Sequence, residues 1–208
     1  MSGGAARAAS GAPNEVRIIG GQWKRSKLAV ADKPGLRPTP ARVRETLFNW
    51  LGQDLTGWRC LDAFAGSGAL GLEAASRGAT QVLLVEQDAA LVRHLQALCL
   101  RLGASSVSVQ RGDGVQALQR CAPGSLDLVF LDPPFDSSLF APALAAAANA
   151  VQPQGLVYLE APKPWSDVEL ATHGLVKSRE GKARPVPKLT QVGEANSLRR
   201  SRERSRRN

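Results

Sequence analysis

The sequence predicts an α/β fold built on a mostly parallel sheet, and three observations predict it. Short apolar runs alternate with longer helical runs from residue 58 onward, which is the pattern of repeated strand–helix–strand units. A glycine-rich segment joins the first of these strands to its helix, and the fourth strand ends in an acidic residue followed by two prolines. In such folds the ligand site lies at the carboxyl ends of the strands, where both of these segments fall.

The composition is that of an ordinary globular protein. Of the 208 residues, 43% are hydrophobic and 22% are charged, which excludes collagen-like, fibrous and wholly disordered chains. The three cysteines, Cys60, Cys99 and Cys121, are widely spaced and form no C-x-x-C pair, so we expect neither a disulfide framework nor a metal site. No apolar run is long enough for a membrane span or typical of a signal peptide, and a reducing, cytoplasmic location is expected.

The basic charge is concentrated at the two ends of the chain. The net charge is +9: residues 1–50 hold nine Lys or Arg against three acids, residues 51–198 hold twelve against fourteen, and residues 199–208 hold six against one. Basic clusters gain affinity for nucleic acid by releasing counterions from its phosphates, so this asymmetry favours a nucleic-acid partner over a membrane surface. Residues 1–14 and 196–208 are predicted to be disordered. The Arg-rich tail is either a solubility segment or part of the nucleic-acid interface.

Residues 15–51 are predicted to form a basic N-terminal extension. Two short apolar runs flank the Gly-Gly pair at 20–21 in VRIIGGQWKRSKLAV, which indicates a β-hairpin or an extended arm. Thr39 is the predicted N-cap of a helix that has Pro40 at its first position and runs to about residue 51. Apolar residues recur every four positions along this helix and would face the core: Val43, Leu47 and Leu51.

The main domain, residues 52–195, is predicted to alternate strands and helices. The apolar runs predict strands at 58–64, 81–87, 106–113, 126–132 and 155–161. The helical patterns between them fall at 69–78, 88–102, 114–121 and 137–151. The last helix is rich in alanine, which favours helix and carries no chemistry.

The glycine-rich segment predicts a nucleotide-cofactor site. It contains G-x-G-x-x-G at 66–71 between a strand and a helix, and Glu86 closes the next strand. Glycines let the backbone approach a ligand closely, and an acid in that position can accept hydrogen bonds from ribose hydroxyls. A dinucleotide and S-adenosylmethionine both use these parts, and a tight structural turn with Glu86 on the surface is the alternative without a ligand.

Two further acids favour S-adenosylmethionine over a dinucleotide. S-adenosylmethionine has a ribose, an adenine and a charged amino-acid end but no pyrophosphate, so its site needs acidic groups at several strand ends. Asp62 and Asp113 follow the first and third strands, and Asp113 could accept a bond from the adenine amino group. An ordinary Gly-Asp turn is the alternative interpretation of Asp113.

The D-P-P-F segment at 132–135 predicts a site for a nucleobase amine. Two prolines directly after a buried strand end its pairing and fix Asp132 and the Pro133 carbonyl rigidly at the ligand edge of the sheet. Two acceptors that bind the hydrogens of a delocalised amine make its nitrogen more nucleophilic and hold it in line with a methyl donor. Phe135 could stack on the base. The alternative is a rigid turn in which Asp132 acts as a cap.

Four motifs together resemble the RsmD family of methyltransferases. They are V-R-I-I-G-G-x-W-K at 16–24, L-R-P-T-P-x-R-V-R-E-T-L-F-N-W-L at 36–51, D-A-F-A-G-S-G-A-L-G-L-E-A at 62–74 and F-L-D-P-P-F at 130–135. The resemblance covers roughly residues 16 to 160. It implies a class I, Rossmann-like S-adenosylmethionine-dependent methyltransferase with a seven-stranded sheet, helices on both faces and an N-terminal RNA-binding extension.

The resemblance also implies roles for particular residues. The residues expected to bind the cofactor are Asp62, Phe64, Gly66, Ser67, Gly68, Glu86 and Asp113. The residues expected to hold the target guanine are Asp132, Pro133, Pro134 and Phe135. The residues expected to lie near RNA are Arg17, Trp23, Lys24, Arg25, Arg37 and Arg42, although the segment at 37–39 could instead be a structural lead into its helix.

The C-terminal part departs from the family pattern. Members finish with an antiparallel pair of strands, whereas this chain carries Pro185 and Pro187 in that region. Proline cannot donate to a β-ladder, so at least one of these strands is expected to be an edge strand, to be bulged or to be missing.

The resulting hypothesis is methyl transfer from S-adenosylmethionine to a guanine N2 in 16S ribosomal RNA, without a metal, by a monomer acting on the small ribosomal subunit or its assembly intermediate. Three alternatives stay open. They are an N6-adenine or N4-cytosine methyltransferase of DNA or other RNA, an NAD-dependent oxidoreductase, and a non-catalytic RNA-binding factor of ribosome assembly.

Overall fold

The computed structural model describes residues 15–31, 33, 36, 38–134, 138–181 and 186–192. Nine strands are described: β1 (Glu15–Arg17), β2 (Lys27–Ala29), β3 (Arg59–Asp62), β4 (Gln81–Glu86), β5 (Val107–Arg111), β6 (Leu126–Leu131), β7 (Val151–Ala161), β8 (Leu175–Glu180) and β9 (Val186–Val192). Six helices are described with them: α1 (Ala41–Leu51), α2 (Ala69–Ser76), α3 (Ala89–Leu102), α4 (Gly114–Arg120), α5 (Phe140–Ala150) and α6 (Asp167–Thr172).

Seven strands form one sheet in the order β5-β4-β3-β6-β7-β9-β8. The five strands from β5 to β7 are parallel, and β9 is antiparallel to both β7 and β8. From β3 the chain adds β4 on one side, whereas β6 pairs on the other side, so the strand order reverses next to β3. Ligands of open α/β sheets bind in the crevice that such a reversal opens at the carboxyl ends of the strands.

Helices cover both faces of the sheet, and each face has its own apolar core. Alternate strand residues point to opposite faces, so Phe130 and Tyr158 pack on the side of α1, α2 and α3, whereas Leu131 and Leu159 pack on the side of α4, α5 and α6. The hairpin formed by β1 and β2 contributes Ile18 to the first core. The extension therefore packs against the same core as the sheet. The predicted mostly parallel seven-stranded sheet, its covering helices and the N-terminal hairpin are confirmed.

A buried carboxylate fastens the extension to the main domain. Glu73 on α2 is fully buried and accepts hydrogen bonds from the backbone N–H groups of Ile19 (2.9 Å) and Gly20 (2.8 Å). It also pairs with Arg44 of α1 (3.2 Å) and with Arg77 (2.8 Å), whose side chains are 2% and 3% exposed. Every contact of this carboxylate is with a donor, so its burial is fully compensated.

The Gly-Gly pair allows the arm to approach α2 closely. A Cβ on Gly20 would lie 2.4 Å from the Arg77 guanidinium, and a Cβ on Gly21 would lie 1.8 Å from the Ser76 carbonyl oxygen. Gly21 also has a φ of 74°, which residues with side chains rarely adopt. The arm is held there by the Gln22 N–H, which donates to the Ser76 carbonyl at 2.7 Å.

The helix α1 begins one residue later than predicted, and the predicted cap is wrong. Pro40 is the N-cap and no side chain caps the helix. The Thr39 hydroxyl hydrogen-bonds instead to Glu160 on β7, and the Thr39 carbonyl accepts from the Arg44 side chain at 3.1 Å. Tertiary hydrogen bonds thus outcompete the local capping bond. The predicted core positions Val43, Leu47 and Leu51 are buried as expected.

Both strands of the C-terminal antiparallel pair are present, although one of them carries a proline. Of the two prolines, Pro185 lies outside the described residues and Pro187 lies in β9, an inner strand between β7 and β8. Pro187 is opposite Glu160 of β7 and one residue beyond the last position paired with β8. The edge position and the irregularity fall on β8, whose register shifts between Lys177 and Arg179. β8 is therefore both the edge strand and the bulged strand, whereas the proline lies in the inner strand β9.

The other predicted elements agree with the structure to within three residues, apart from the start of β7, which begins four residues earlier than predicted. The segments predicted to be disordered, 1–14 and 196–208, lie outside the described residues, and the domain boundaries stay predictions. Within the described part of the chain, no helix has the length and apolar character that crossing a membrane requires.

Candidate active site

A cavity of about 520 Å³ opens at the carboxyl ends of β3, β4 and β6. This volume is within the range of small-molecule sites. Seven of the residues singled out in the sequence line it together: Phe64, Gly66, Ser67, Glu86, Asp132, Pro133 and Pro134. Among the others, Asp62, Gly68 and Asp113 do not line it, and Phe135 lies outside the described residues.

The glycine loop between β3 and α2 forms one wall of the cavity. Gly66 and Gly68 have φ values of 50° and 75°, in the left-handed region that favours glycine. A Cβ on Gly68 would lie 2.6 Å from the Leu95 side chain, whereas one on Gly66 would lie 3.2 Å from Leu36 and 3.9 Å from the Phe64 carbonyl oxygen. Gly68 is therefore needed for packing behind the loop, and Gly66 is the glycine that keeps the ligand side open.

Glu86 orients the loop and remains available to a ligand. One carboxylate oxygen accepts from the Gly66 N–H at 3.0 Å and the other from the Asp88 N–H at 2.8 Å. Each oxygen has two lone-pair sites, so each can accept a further hydrogen bond. Glu86 lines the cavity and is part exposed, which lets it accept bonds from a vicinal diol such as that of a ribose.

Asp62 supports the loop from beneath. Its side chain is 2% exposed and accepts hydrogen bonds from the backbone N–H groups of Gly71, at 3.2 Å, and Phe64. Burial is the main cause that raises the pKa of Asp62 to about 7. Asp62 does not line the cavity and lies behind its wall. A contact between Asp62 and the cofactor stays a prediction.

Asp113 is the N-cap of α4. It accepts from the Gln116 N–H at 2.8 Å and from the Gln87 side chain at 3.2 Å. Its neighbour Gly114 lines the cavity, and a Cβ there would lie 2.0 Å from the Ala63 carbonyl oxygen, so glycine is required where α4 meets the end of β3. A bond from Asp113 to an adenine amine stays a prediction.

Asp132 follows β6 directly, and β3 separates this strand from β4, which ends at Glu86. Pro133 is buried and Pro134 is exposed, and both line the cavity with Asp132. Burial is the largest cause that raises the pKa of Asp132 well above its usual range, followed by the negative charges of Glu160 and Asp62. A strongly perturbed acid in a cleft is typical of a group that takes part in proton chemistry.

Sequence reasoning missed Glu160 and its partners. Glu160 is 2% exposed and accepts from the buried Tyr158 hydroxyl at 2.9 Å and from Thr39. A signal was present, because Y-L-E at 158–160 places polar groups at two alternate positions of the otherwise apolar run G-L-V-Y-L-E-A at 155–161. Without the register of β7 against β6, nothing in the sequence connected Glu160 with Asp132.

The basic residues of the extension lie on the surface. Arg17, Lys24, Arg25 and Arg42 are exposed, and Trp23 is partly buried against the first core. Arg25 has a φ of 72° at the end of the turn, which points to a defined hairpin conformation. Arg37 lies outside the described residues, whereas its neighbours Leu36, Pro38 and Thr39 line the cavity. The extension therefore reaches the cavity rim.

Comparisons with known proteins identify relatives of this chain. Residues 16–184 match the family described as Conserved hypothetical protein 95. The Ribosomal RNA small subunit methyltransferase D of Escherichia coli strain K12 is 44% identical over 153 residues, which is 70% of this chain and 74% of that protein. The protein of the same name from Haemophilus influenzae is 39% identical over 183 residues, 81% of this chain and 94% of that one.

Solved structures have the same fold. The putative methyltransferase yhhF from Escherichia coli superposes with a TM-score of 0.73 at 38% identity and covers 86% of this chain and 98% of its own. A SAM dependent methyltransferase from Aquifex aeolicus has a TM-score of 0.59 at 14% identity over 74% of this chain and 94% of its own, a likeness that concerns the fold alone.

Proposed function

This chain belongs to the RsmD family of small-subunit ribosomal RNA methyltransferases, and on that premise we propose that it methylates the exocyclic N2 amine of a guanine in 16S ribosomal RNA with S-adenosylmethionine as the donor. The observation that carries the proposal is one cavity that joins Glu86 and the glycine loop to Asp132 and the two prolines. A methyl donor and an amine acceptor would meet there.

The residues present fit S-adenosylmethionine. Glu86 offers acceptors for the ribose hydroxyls, and the open side of Gly66 leaves room for close approach of a ligand to the loop. The cavity wall is mixed in character, with apolar side chains such as Leu36, Leu70 and Val85 available to an adenine ring. When bound, S-adenosylmethionine supplies an electrophilic methyl group on a positively charged sulfur.

Asp132 and the Pro133 carbonyl would orient the acceptor amine. A guanine amine is a poor nucleophile because its lone pair is delocalised into the ring. Two acceptors that bind its hydrogens favour a more pyramidal nitrogen and hold its lone pair toward the methyl group. S-adenosylmethionine, held by Glu86 and the glycine loop, would supply the methyl group, and its sulfur would keep the electrons of the broken S–C bond. The Asp132 carboxylate or water would take the surplus proton of the nitrogen.

RNA would reach the cavity along the extension. The target base must be unpaired or extruded to enter, which suits a loop in RNA. The exposed Lys24, Arg25 and Arg42 provide positive charge for phosphates, and the partly exposed Trp23 offers a stacking surface. We propose further that the substrate is the small subunit or its assembly intermediate, because that particle carries the RNA. The protein would act on it in the cytoplasm and as a monomer.

The test is methyl transfer followed by nucleoside analysis. Labelled S-adenosylmethionine is incubated with the full-length protein and small subunits that lack the modification, and the RNA is digested for mass spectrometry. N2-methylguanosine that depends on Asp132 is the expected result. N6-methyladenosine or N4-methylcytidine would mean another amine. Cofactor binding without transfer would favour a non-catalytic assembly factor, and binding of NADH alone would favour an oxidoreductase.

The matched control for the Asp132→Ala variant is Asp127→Ala. Asp127 is at the opposite end of the same strand and accepts from Arg59 and Gln152, so its loss perturbs β6 without reaching the cavity. Transfer lost in both variants would indicate that strand integrity, rather than the Asp132 carboxylate, is responsible.

A further inference from the structure

Two carboxyl groups lie side by side at the carboxyl ends of β6 and β7. Phe130 pairs with Tyr158 and Leu131 with Leu159, so Asp132 and Glu160 come next in register, on the face that carries Phe130 and Tyr158. Neighbouring strands are about 4.8 Å apart, which brings two acids at matching positions within strong electrostatic reach. Asp62, two residues further back on this face, is the third acid of the cluster.

This cluster differs from an ordinary ion pair because its described partners are neutral. Glu160 receives hydrogen bonds from the hydroxyls of Tyr158 and Thr39, and neither it nor Asp132 forms an ion pair with any described residue. Arg44, on the helix that packs over this face, points to Glu73 and the carbonyls of Thr39 and Arg17 instead. The charged groups that act on Asp132 are thus Glu160 and, further back, Asp62.

Hydroxyl donors stabilise the ionised form of the acid that they contact. Burial raises the pKa of Glu160, whereas the hydrogen bonds from Tyr158 and Thr39 lower it. Asp132 has no comparable donors among the described residues, so of the two acids Asp132 has the greater affinity for a proton.

We propose that Glu160 is a positioning residue for methyl transfer: its negative charge, fixed by Thr39 and Tyr158, increases the proton affinity of Asp132. The inference rests on the proposed function, in which the Asp132 carboxylate takes the proton released by the methylated nitrogen. An acceptor with greater proton affinity takes that proton more readily, provided that it is ionised when the substrate is bound. Glu160 itself does not line the cavity.

The first experiment is a titration of the Asp132 carboxyl in the free protein by isotope-edited infrared spectroscopy, in the wild type and in Glu160→Gln. Loss of the neighbouring charge should lower the midpoint for Asp132 by about one pH unit or more. The matched control is Glu180→Gln, the same substitution at an exposed position of the edge strand β8, which should leave the midpoint in place. An unchanged midpoint in Glu160→Gln would overturn the proposal, whatever the activity of the protein.

The second experiment is the pH dependence of single-turnover methyl transfer at saturating RNA and cofactor. In Glu160→Gln the acid limb should move to lower pH with the infrared midpoint, and the plateau rate above it should fall. A midpoint that moves without the acid limb would overturn the role of Glu160 in the reaction. Absence of transfer in the wild type would instead contradict the proposed function and leave the titration result intact.

Tyr158→Phe provides a second variant that preserves the volume of the core. It removes one hydrogen-bond donor to Glu160, so the ionised form of Glu160 is less stabilised and its negative charge acts less on Asp132. The titration midpoint of Asp132 should therefore fall, as in Glu160→Gln, but by a smaller amount. If Glu160→Gln fails to fold, this variant decides the question. A midpoint that stays in place or rises in Tyr158→Phe would contradict the proposal.

Discussion

This protein has two acidic centres on the same side of the sheet, and they are built in opposite ways. Glu73 is surrounded by donors: two arginines and two backbone N–H groups. The cluster of Asp62, Asp132 and Glu160 receives hydrogen bonds from neutral donors, and the charges that act on it among the described residues are those of its own members and of Glu86, all negative.

This difference separates a structural acid from a chemical one. A buried carboxylate that contacts only donors has its charge compensated and stabilises the fold. Carboxyls crowded together without a counter-charge repel one another when ionised, which increases their affinity for a proton, and folding must overcome that cost. Thr39 connects the centres, because its carbonyl accepts from Arg44 and its hydroxyl donates to Glu160. The structural centre thus helps to position a group of the chemical one.

Asp132→Ala should have the largest effect. Loss of the carboxylate removes the orientation of the amine and its proton acceptor, so the rate of methyl transfer should fall by about 10³-fold or more. Cofactor affinity, measured by calorimetry, should change little because Glu86 and the glycine loop are intact. A variant that retains a tenth of the wild-type rate would place the chemistry elsewhere.

Glu73→Ala should reduce stability rather than chemistry. It leaves Arg44 and Arg77 buried without their anion, a change that costs about 3–5 kcal/mol of unfolding free energy. Urea denaturation measures the loss, and Glu45→Ala on the exposed side of α1 is the matched control. A loss of unfolding free energy of less than about 1 kcal/mol would show that Glu73 does not hold the N-terminal extension in place.

Asp62→Asn should change the pH dependence of stability. The folded pKa of about 7 lies above the unfolded value of 3.8, so folding is favoured below pH 4 and loses stability as pH rises toward and through 7. At about 1.4 kcal/mol per unit, this amounts to at most about 4 kcal/mol. The variant, whose side chain does not titrate, should therefore gain stability relative to the wild type between pH 4 and pH 8 in denaturation curves. A constant difference across that range would contradict the assignment.

Gly21→Ala tests the close approach of the arm. The added methyl would meet the Ser76 carbonyl in addition to the cost of a positive φ, so we expect a loss of about 2–3 kcal/mol. Gly52→Ala is the matched control, since Gly52 has a φ of 90° and open space around its Cβ position. Equal losses of unfolding free energy in the two variants would mean that the positive φ alone, and not the close approach to Ser76, requires glycine at position 21.

Ser166→Ala should have the smallest effect and concern neither centre. Ser166 and Glu169 form a complete capping box at the start of α6, so the substitution should cost about 1 kcal/mol in thermal or urea unfolding. The rate of methyl transfer and its pH dependence should be unchanged. A change in the pH dependence of methyl transfer would link α6 to the active site and would contradict the separation of α6 from both acidic centres.

Most of the fold was predictable because its signals are local. Strand and helix patterns, the glycine loop and the two prolines each depend on neighbours in the sequence, and together they located the cavity and seven of its residues. The resemblance added the number of strands and the class of reaction.

The parts that were missed depend on contacts distant in sequence. Thr39 has every local feature of an N-cap, yet it binds Glu160, which is 121 residues away. Pro187 suggested an edge strand, whereas β9 lies between β7 and β8 and accommodates the proline because β8 stops pairing just before that residue. The alternation of Tyr158 and Glu160 was visible in the sequence, but only the pairing of β6 with β7 places Glu160 beside Asp132.

The most direct test compares Asp132→Asn and Glu73→Gln in one preparation each, with methyl transfer to unmodified small subunits and urea unfolding measured on the same samples. We expect Asp132→Asn to unfold at or above the wild-type urea concentration and to form almost no N2-methylguanosine. We expect Glu73→Gln to unfold at a much lower concentration, while its folded fraction still forms the product. An Asp132→Asn variant that is active, or a stable Glu73→Gln variant that is inactive, would contradict the assignment of chemistry to one centre and structure to the other.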